Sequence, residues 1–141
     1  MTVLEIAELL GGPRVLGRSI DSDLELDGIV EEGLPSRSVE SLMRHMEIGT
    51  AEMATLIPKR TLIANKQRAR LSADQSDRVA RLARVFRLAE ETLGSAQKAR
   101  VWILRPNRTL GGRAPLELVR RSSGSLLVER ALGRLAHGVY T

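Results

Sequence analysis

Apolar residues in this chain recur at intervals of three and four and do not alternate at intervals of two, a pattern that restricts the fold to helices. Val79, Leu82, Ala83, Phe86, Ala89 and Leu93 fall on one helical stripe; Leu127, Val128, Ala131, Leu132 and Leu135 fall on another. Glycine, proline and serine punctuate the stripes. With 43% apolar residues over 141 positions, the chain has enough for a modest core, which excludes wholesale disorder. The expected fold class is all-α.

The punctuation sets the expected elements. Residues 2–10 form a short helix that stops at Gly11-Gly12-Pro13, and 12–23 read as a linker. A helical piece from Leu24 to Glu32 ends at Gly33 and Pro35. Ser36 or Ser38 caps a helix to about Met46, and Gly49-Thr50 opens two turns over Ala51 to Ile57. Pro58-Lys59-Arg60 reads as a tight connection into a helix from Thr61 to about Arg70. Ser72 and Gln75 form a capping box for the longest helix, to about Leu93. Ser95 caps Ala96 to Leu104, expected to bury Val101 and Trp102. Pro115 starts a short helix through Val119, and a last helix runs from about Ser125 to Ala136 before Gly138.

The formal charge of +5 hides a split. Residues 1–34 hold eight acids and two bases, a balance of −6, whereas 35–141 hold twenty bases and nine acids, a balance of +11. Such asymmetry suits a surface that meets an anionic partner, or a solvated face behind an acidic lead-in. The chain divides on these grounds into an acidic N-terminal arm at 1–34, a helix-turn-helix at 35–71 and a second helical module at 72–141.

Several function classes drop out. There is no cysteine, so disulfides, thiolate metal sites and cysteine nucleophiles are excluded. His45 and His137 lack metal-ligand spacing, and no H-E-x-x-H, paired-carboxylate or G-x-S-x-G pattern occurs, so no enzyme, metal or cofactor is expected. Phe86, Trp102 and Tyr140 are too few aromatics for a single-strand stacking platform. No apolar run approaches the roughly 18 residues that span a bilayer, and the N-terminus lacks a secretory pattern. A cytoplasmic protein without membrane contact is the expectation.

The pair of helices at 50–57 and 61–70, three residues apart, suits a helix-turn-helix packed through Met53, Ala54, Ile57, Leu62 and Ile63. Its second helix and lead-in carry Lys59, Arg60, Lys66, Arg68 and Arg70 with no acid nearby, and Thr61 and Asn65 add neutral donors. A helix in the major groove needs cations for phosphates and short polar groups for base edges. The candidate DNA-binding residues are Lys59, Arg60, Thr61, Asn65, Lys66 and Arg68; Asn65 is an adenine reader or an ordinary surface residue. Arg78, Arg81, Arg84 and Arg87 form an inclined ridge, either a charged outer face or a contact for phosphates or acidic protein, with Glu90 and Glu91 as local partners for Arg87.

Beyond residue 98 the pattern is Ala99, Trp102, Pro106-Asn107, Leu110-Gly111-Gly112, Pro115-Leu116-Glu117-Leu118, Gly124 and a final Gly138-Val139-Tyr140-Thr141. The glycine pair lacks the lysine of a phosphate-binding loop and by itself permits a sharp turn. The tail is a frayed end, or a flexible carboxylate able to enter a narrow basic pocket.

In order and spacing these residues resemble the toxin-binding domain of Xre/MbcA/ParS-type antitoxins. Lys59-Arg60-Thr61-Leu62, Leu71-Ser72 and Ser76-Asp77-Arg78 resemble the first module of the same family. The resemblance covers about residues 34–141; Ala114 replaces the usual Thr or Ser before the proline, which weakens that cap, and residues 1–33 lie outside it. It implies one half of a type II toxin–antitoxin pair whose partner is a RES-domain toxin that degrades NAD. It further implies that Gly138, Val139, Tyr140 and Thr141 plug the toxin's active-site entrance. Trp102, Pro106, Asn107, Leu110, Gly111, Gly112 and Pro115 would belong to the docking surface. Promoter DNA bound through the helix-turn-helix would allow autorepression, by a homodimer within a larger complex, since operators usually hold two half-sites. The rival readings are a stand-alone helix-turn-helix regulator and a non-enzymatic partition or localisation adaptor.

Overall fold

Ser72 opens the longest helix, where its hydroxyl accepts from the Gln75 amide at 3.1 Å and the Gln75 side chain accepts from the Ser72 amide at 3.2 Å. That helix ends at Gly94, which is left-handed at φ +97°. Numbered along the chain, the computed structural model has α1 (Val3–Leu9), α2 (Gly12–Leu16), α3 (Asp23–Glu32), α4 (Ser36–Met46), α5 (Thr50–Met53), α6 (Lys59–Ala64), α7 (Ala73–Leu93), α8 (Ala96–Leu104), α9 (Pro115–Leu118) and α10 (Ser122–Ala136), with a 3₁₀ turn at Arg108–Leu110. It describes residues 1–64 and 70–138. Among those residues there is no strand, only the isolated bridges Pro35–Arg70 and Asn107–Arg113. No described helix is long and apolar enough to cross a membrane.

The core forms around α7. Val79, Leu82, Ala83, Val85, Phe86 and Ala89 are fully buried, and α1, α3, α4, α8 and α10 all pack on this helix. Complete burial of one large side chain such as Phe86 stabilises the fold by about 1.5–3 kcal/mol. The other helices have 4 to 15 residues, lengths at which an isolated helix is marginal in water.

The acidic segment packs into this core. Thr2 and Glu5 form a capping box at the start of α1, whose Ile6, Ala7 and Leu9 are buried. The expected linker at 12–23 is not one. Pro13 sits in the first turn of α2, where its missing N–H costs nothing, and Gly17 closes that helix at φ +80°. Leu16 and Ile20 are buried, with α2 packed against α1 and α4. Ser22 then caps α3 through the Glu25 amide.

Other boundaries move for identifiable reasons. After α5 the chain forms turns through 54–57, so the expected two-turn helix is one turn long. The amide of Leu62 donates to the Pro58 carbonyl at 3.1 Å, which places Lys59 and Arg60 in the first turn of α6 rather than in a connection. In α8 the buried positions are Ala99 and Ile103; Val101 is 43% exposed and Trp102 is half-buried. In α10, which begins at Ser122, Leu127 is 47% exposed. Four consecutive apolar residues, Val101 to Leu104, cannot state which way their helix faces; the packing against α7 and α9 decides it.

A close approach fixes the joint between α3 and α4. Gly33 has φ +106°, and a Cβ there would lie 2.3 Å from the Leu71 carbonyl oxygen. The same joint is tied by Leu71 N–H to Leu34 O (2.8 Å), Leu34 N–H to Ser76 Oγ (2.7 Å) and Arg70 Nη1 to Gly33 O (2.7 Å).

Glu5 also binds Arg87 on α7, at 3.0 Å. Its carboxyl is held below the usual carboxylate range, first by the Thr2 amide and then by the Arg87 guanidinium. A lowered folded-state pKa gives stability that is present above the unfolded value of about 4.3 and is lost as pH falls through the lower folded value. Glu5→Gln should therefore lower Tm at pH 7, with the gap to the parent closing as thermal melts are taken below about pH 4. A gap of constant size across that range is the contrary result.

Candidate functional site

The helix-turn-helix region consists of α5, the turn at 54–58 and α6. Met53 and Ile57 are fully buried beneath it, and Leu62 packs half-buried against the core. Ile63 does not pack as expected: it is 58% exposed, on the same side as Lys59. Lys59 and Arg60 stand exposed on the first turn and Thr61 is half-buried. Asn65, Lys66 and Arg68 lie outside the described residues. Arg70, grouped above with the basic helix, donates to the Gly33 carbonyl and belongs to the joint before α4.

The arginine ridge of α7 is a set of internal cross-links. Arg78 donates to the Leu56 carbonyl at 3.1 Å, behind the helix-turn-helix. Arg81 binds Asp77 and donates to the Val119 carbonyl at 2.8 Å. Arg84 pairs with Glu129 of α10 at 3.3 Å, and Arg87 with Glu5. The local partners expected for Arg87 serve elsewhere: Glu90 binds His45 at 3.0 Å and Glu91 binds the Met1 amine at 3.0 Å. Arg100 adds a tie that the sequence does not signal, donating to the carbonyl of Glu47, the left-handed residue (φ 56°) that ends α4. All four ridge arginines are thus engaged within the chain.

The segment 106–115 folds on itself. Asn107 accepts through Oδ1 from the Thr109 amide (2.9 Å) and hydroxyl (2.7 Å), capping the 3₁₀ turn. Its backbone pairs with Arg113, and Gly111 and Gly112 take φ +70° and +80° at the tip. Leu110 and Pro115 are buried and support the loop from below, while Pro106, Gly111 and Gly112 are exposed. Ala114 gives α9 no side-chain cap, as its identity implies. Trp102 packs half-buried against the core. Gly138 is exposed at φ +73°; Val139, Tyr140 and Thr141 lie outside the described residues.

An open groove of about 960 Å³ separates α3 from α10 over α7. Leu26, Val30 and Ala80 contribute apolar lining, and Asp21, Asp23 and Asp27 line it with carboxylates. Among the described residues those three aspartates have no ion pair. The charge split signals this feature; its position depends on how α3 packs.

Comparison with known proteins bears on both halves. Residues 25–84 match the Antitoxin Xre-like helix-turn-helix domain, and residues 88–138 match the Antitoxin Xre/MbcA/ParS C-terminal toxin-binding domain. The first match begins inside the acidic segment, so α3 from Glu25 onward, expected to lie outside the resemblance, falls within it. Proteins named Antitoxin Xre are similar over most of the chain. The one from Yersinia enterocolitica is 33% identical over 116 residues, covering 79% of this chain and 78% of that protein. The one from Pseudomonas putida is 30% identical over 118 residues (83% and 74%), and the one from Photorhabdus laumondii 29% over 130 residues (89% and 88%).

The cap at Asn107 makes a local prediction. Asn107→Ala should leave the helices intact but cost about 1 kcal/mol and speed hydrogen exchange at the Thr109 amide. Unchanged exchange there would mean that the loop holds its shape without the cap.

Proposed function

The chain belongs to the Xre/MbcA/ParS family of antitoxins, and we propose that it neutralises a RES-domain, NAD-degrading toxin by occlusion and represses its own operon. The observation that carries this reading is the self-closed loop at 106–115, set between α8 and α10 in the segment that matches the toxin-binding domain. The C-terminal half, 72–141, docks on the toxin through this loop and Trp102. Gly138, Val139, Tyr140 and Thr141 extend from the end of α10 into the toxin's entrance and exclude NAD. The chain breaks no bond itself. Its place of action is the cytoplasm.

Deleting 139–141 should preserve the thermal melt, since the described core ends before those residues. Neutralisation should fall by on the order of tenfold or more in toxin affinity, read as lost growth on co-expression and as restored NAD loss in vitro. Equal protection by the truncated chain rejects the plug.

DNA recognition belongs to the region 35–71. Lys59 and Arg60 are exposed together on α6, and Thr61, Asn65, Lys66 and Arg68 continue the same stretch of chain. A homodimer places two copies on two half-sites of the operator. Arg60→Ala and Lys66→Ala should each weaken operator binding and reduce the slope of log K against log salt by about 0.9 for every phosphate no longer neutralised. Gel shifts that do not change across a salt series would leave the antitoxin role alone.

A further inference from the structure

Helix α10 contains two glycines, and the chain itself accounts for one of them. A Cβ at Gly124 would lie 2.1 Å from the Leu118 carbonyl oxygen, so the turn from α9 into α10 requires glycine there. A Cβ at Gly133 would meet nothing within 4 Å, and Gly133 is not among the residues with positive φ. Glycine inside a helix weakens it, because the backbone loses more freedom on folding than with any side chain. Among the described residues nothing offsets that weakness at Gly133.

Its surroundings indicate what does. At about 100° per residue, Leu126, Leu127, Arg130, Gly133, Arg134 and His137 share roughly a third of the helix circumference, opposite the buried Val128, Ala131 and Leu132. Both leucines are 47% exposed. Among the described residues, neither the Arg130 nor the Arg134 side chain has a hydrogen bond or an ion pair. This distinguishes them from the arginines of α7, all four of which are engaged within the chain. The His137 ring donates from Nδ1 to the Gly133 carbonyl at 2.8 Å and lies at the end of the same face.

The face therefore offers apolar area, two free guanidinium groups and a stretch of bare backbone. Bare backbone matters where another surface must approach more closely than a side chain allows. Two exposed leucines have no use against a phosphate backbone, which is bound through cations and polar donors. A second copy of the same face would set Arg130 and Arg134 against their like, a juxtaposition that suppresses pairing. An apolar surface bordered by carboxylates fits on all three counts. The face also lies within residues 88–138, which match the toxin-binding domain.

We infer that the outer face of α10, centred on Gly133, is a docking surface for a closely packed, acid-rimmed apolar element of the toxin. The inference rests on the proposed toxin-binding role and extends the interface from loop and tail onto the helix.

The test uses the full chain and its proposed cognate RES-domain toxin, with affinity measured by surface plasmon resonance and folding by thermal melts. Gly133→Ala should raise Tm by about 4 °C, because only helix propensity changes. Gly133→Leu should fold at least as well as the parent yet bind the toxin about tenfold or more weakly, a gain of stability coupled to a loss of partner. Arg130→Glu with Arg134→Glu should slow association and flatten its dependence on salt. Parent-like toxin affinity in Gly133→Leu overturns the inference and leaves the proposed function standing. A fall in Tm for Gly133→Ala also overturns it, since the glycine would then be structural. Loss of self-association or of operator binding with toxin affinity intact assigns the face to another partner and overturns it as well. Failure of the parent chain to bind the RES-domain protein removes both readings.

Discussion

The apolar face of α7 is the surface on which every large element of this protein is assembled. Its 21 residues give it a length at which a helix can be a scaffold, and six of its apolar side chains are completely enclosed. Helices α1, α3, α4, α8 and α10 close that enclosure from different sides. None of them is long enough to persist alone, so their order comes from burial against α7 rather than from helix propensity. The fold is correspondingly sensitive along one line. A change of volume at Phe86 reaches α4 directly, because His45 packs edge-on against that ring with centroids 5.7 Å apart.

Around that apolar line runs a ring of polar cross-links, and the partition of the arginines follows from it. Arg78, Arg81, Arg84 and Arg87 project from α7 at three-residue intervals and meet, in turn, the turn after α5, the end of α9, the side of α10 and the start of α1. Each tie spans elements well separated in sequence. The pairs are partly exposed, so individually they add little stability, and their combined effect is to fix which face of each short helix turns inward. These ties leave the +11 balance of residues 35–141 unchanged, since it already subtracts Asp77 and Glu129 and an arginine on a carbonyl keeps its charge; only Arg87 pairs with an acid of the first segment, Glu5. Among the described residues of 35–141, the cations without such a tie are Arg37 and Arg44 on α4, Lys59 and Arg60 on α6, Lys98 on α8, and Arg105, Arg108, Arg120, Arg121, Arg130 and Arg134 beyond it.

This partition separates what was legible in the sequence from what was not. Caps and stops are local chemistry, and Ser72 with Gln75, Ser95, Pro115 and Gly94 lie where their side chains and dihedrals require. The stripe of α7 is legible because 21 residues average out ambiguity. The nine residues of α8 do not: Val101, Trp102, Ile103 and Leu104 are consecutive, and any phase buries some of them. The linker reading of 12–23 failed because glycine and proline mark an interruption without stating its length, and Leu16 and Ile20 find a surface that exists only after α1 and α4 have packed. Apart from Asp77, the ridge's partners could not be assigned because they lie 22 to 82 residues away and share no local pattern with it. For the candidate site, the order of motifs after residue 98 identified the loop, and burial then divided it into exposed Pro106, Gly111 and Gly112 and supporting Leu110 and Pro115.

The two matched segments meet inside α7, one reaching residue 84 and the other starting at 88, with no break in the helix between them. A flexible linker at this point would let a helix-turn-helix and a partner-binding half reorient independently. A continuous helix braced on both sides prevents that. Arg78 holds the turn before α6 and Arg81 the end of α9, one helical turn apart on the same rod. The Arg100 tie to Glu47 and the His45–Glu90 pair brace the halves again from the side of α4. Rotating one half against the other would expose Val85 and Phe86 and break these ties together, so the distance and angle between α6 and the loop at 106–115 are set by core packing. A partner held by the second half is thereby carried at a fixed orientation to whatever the first half binds.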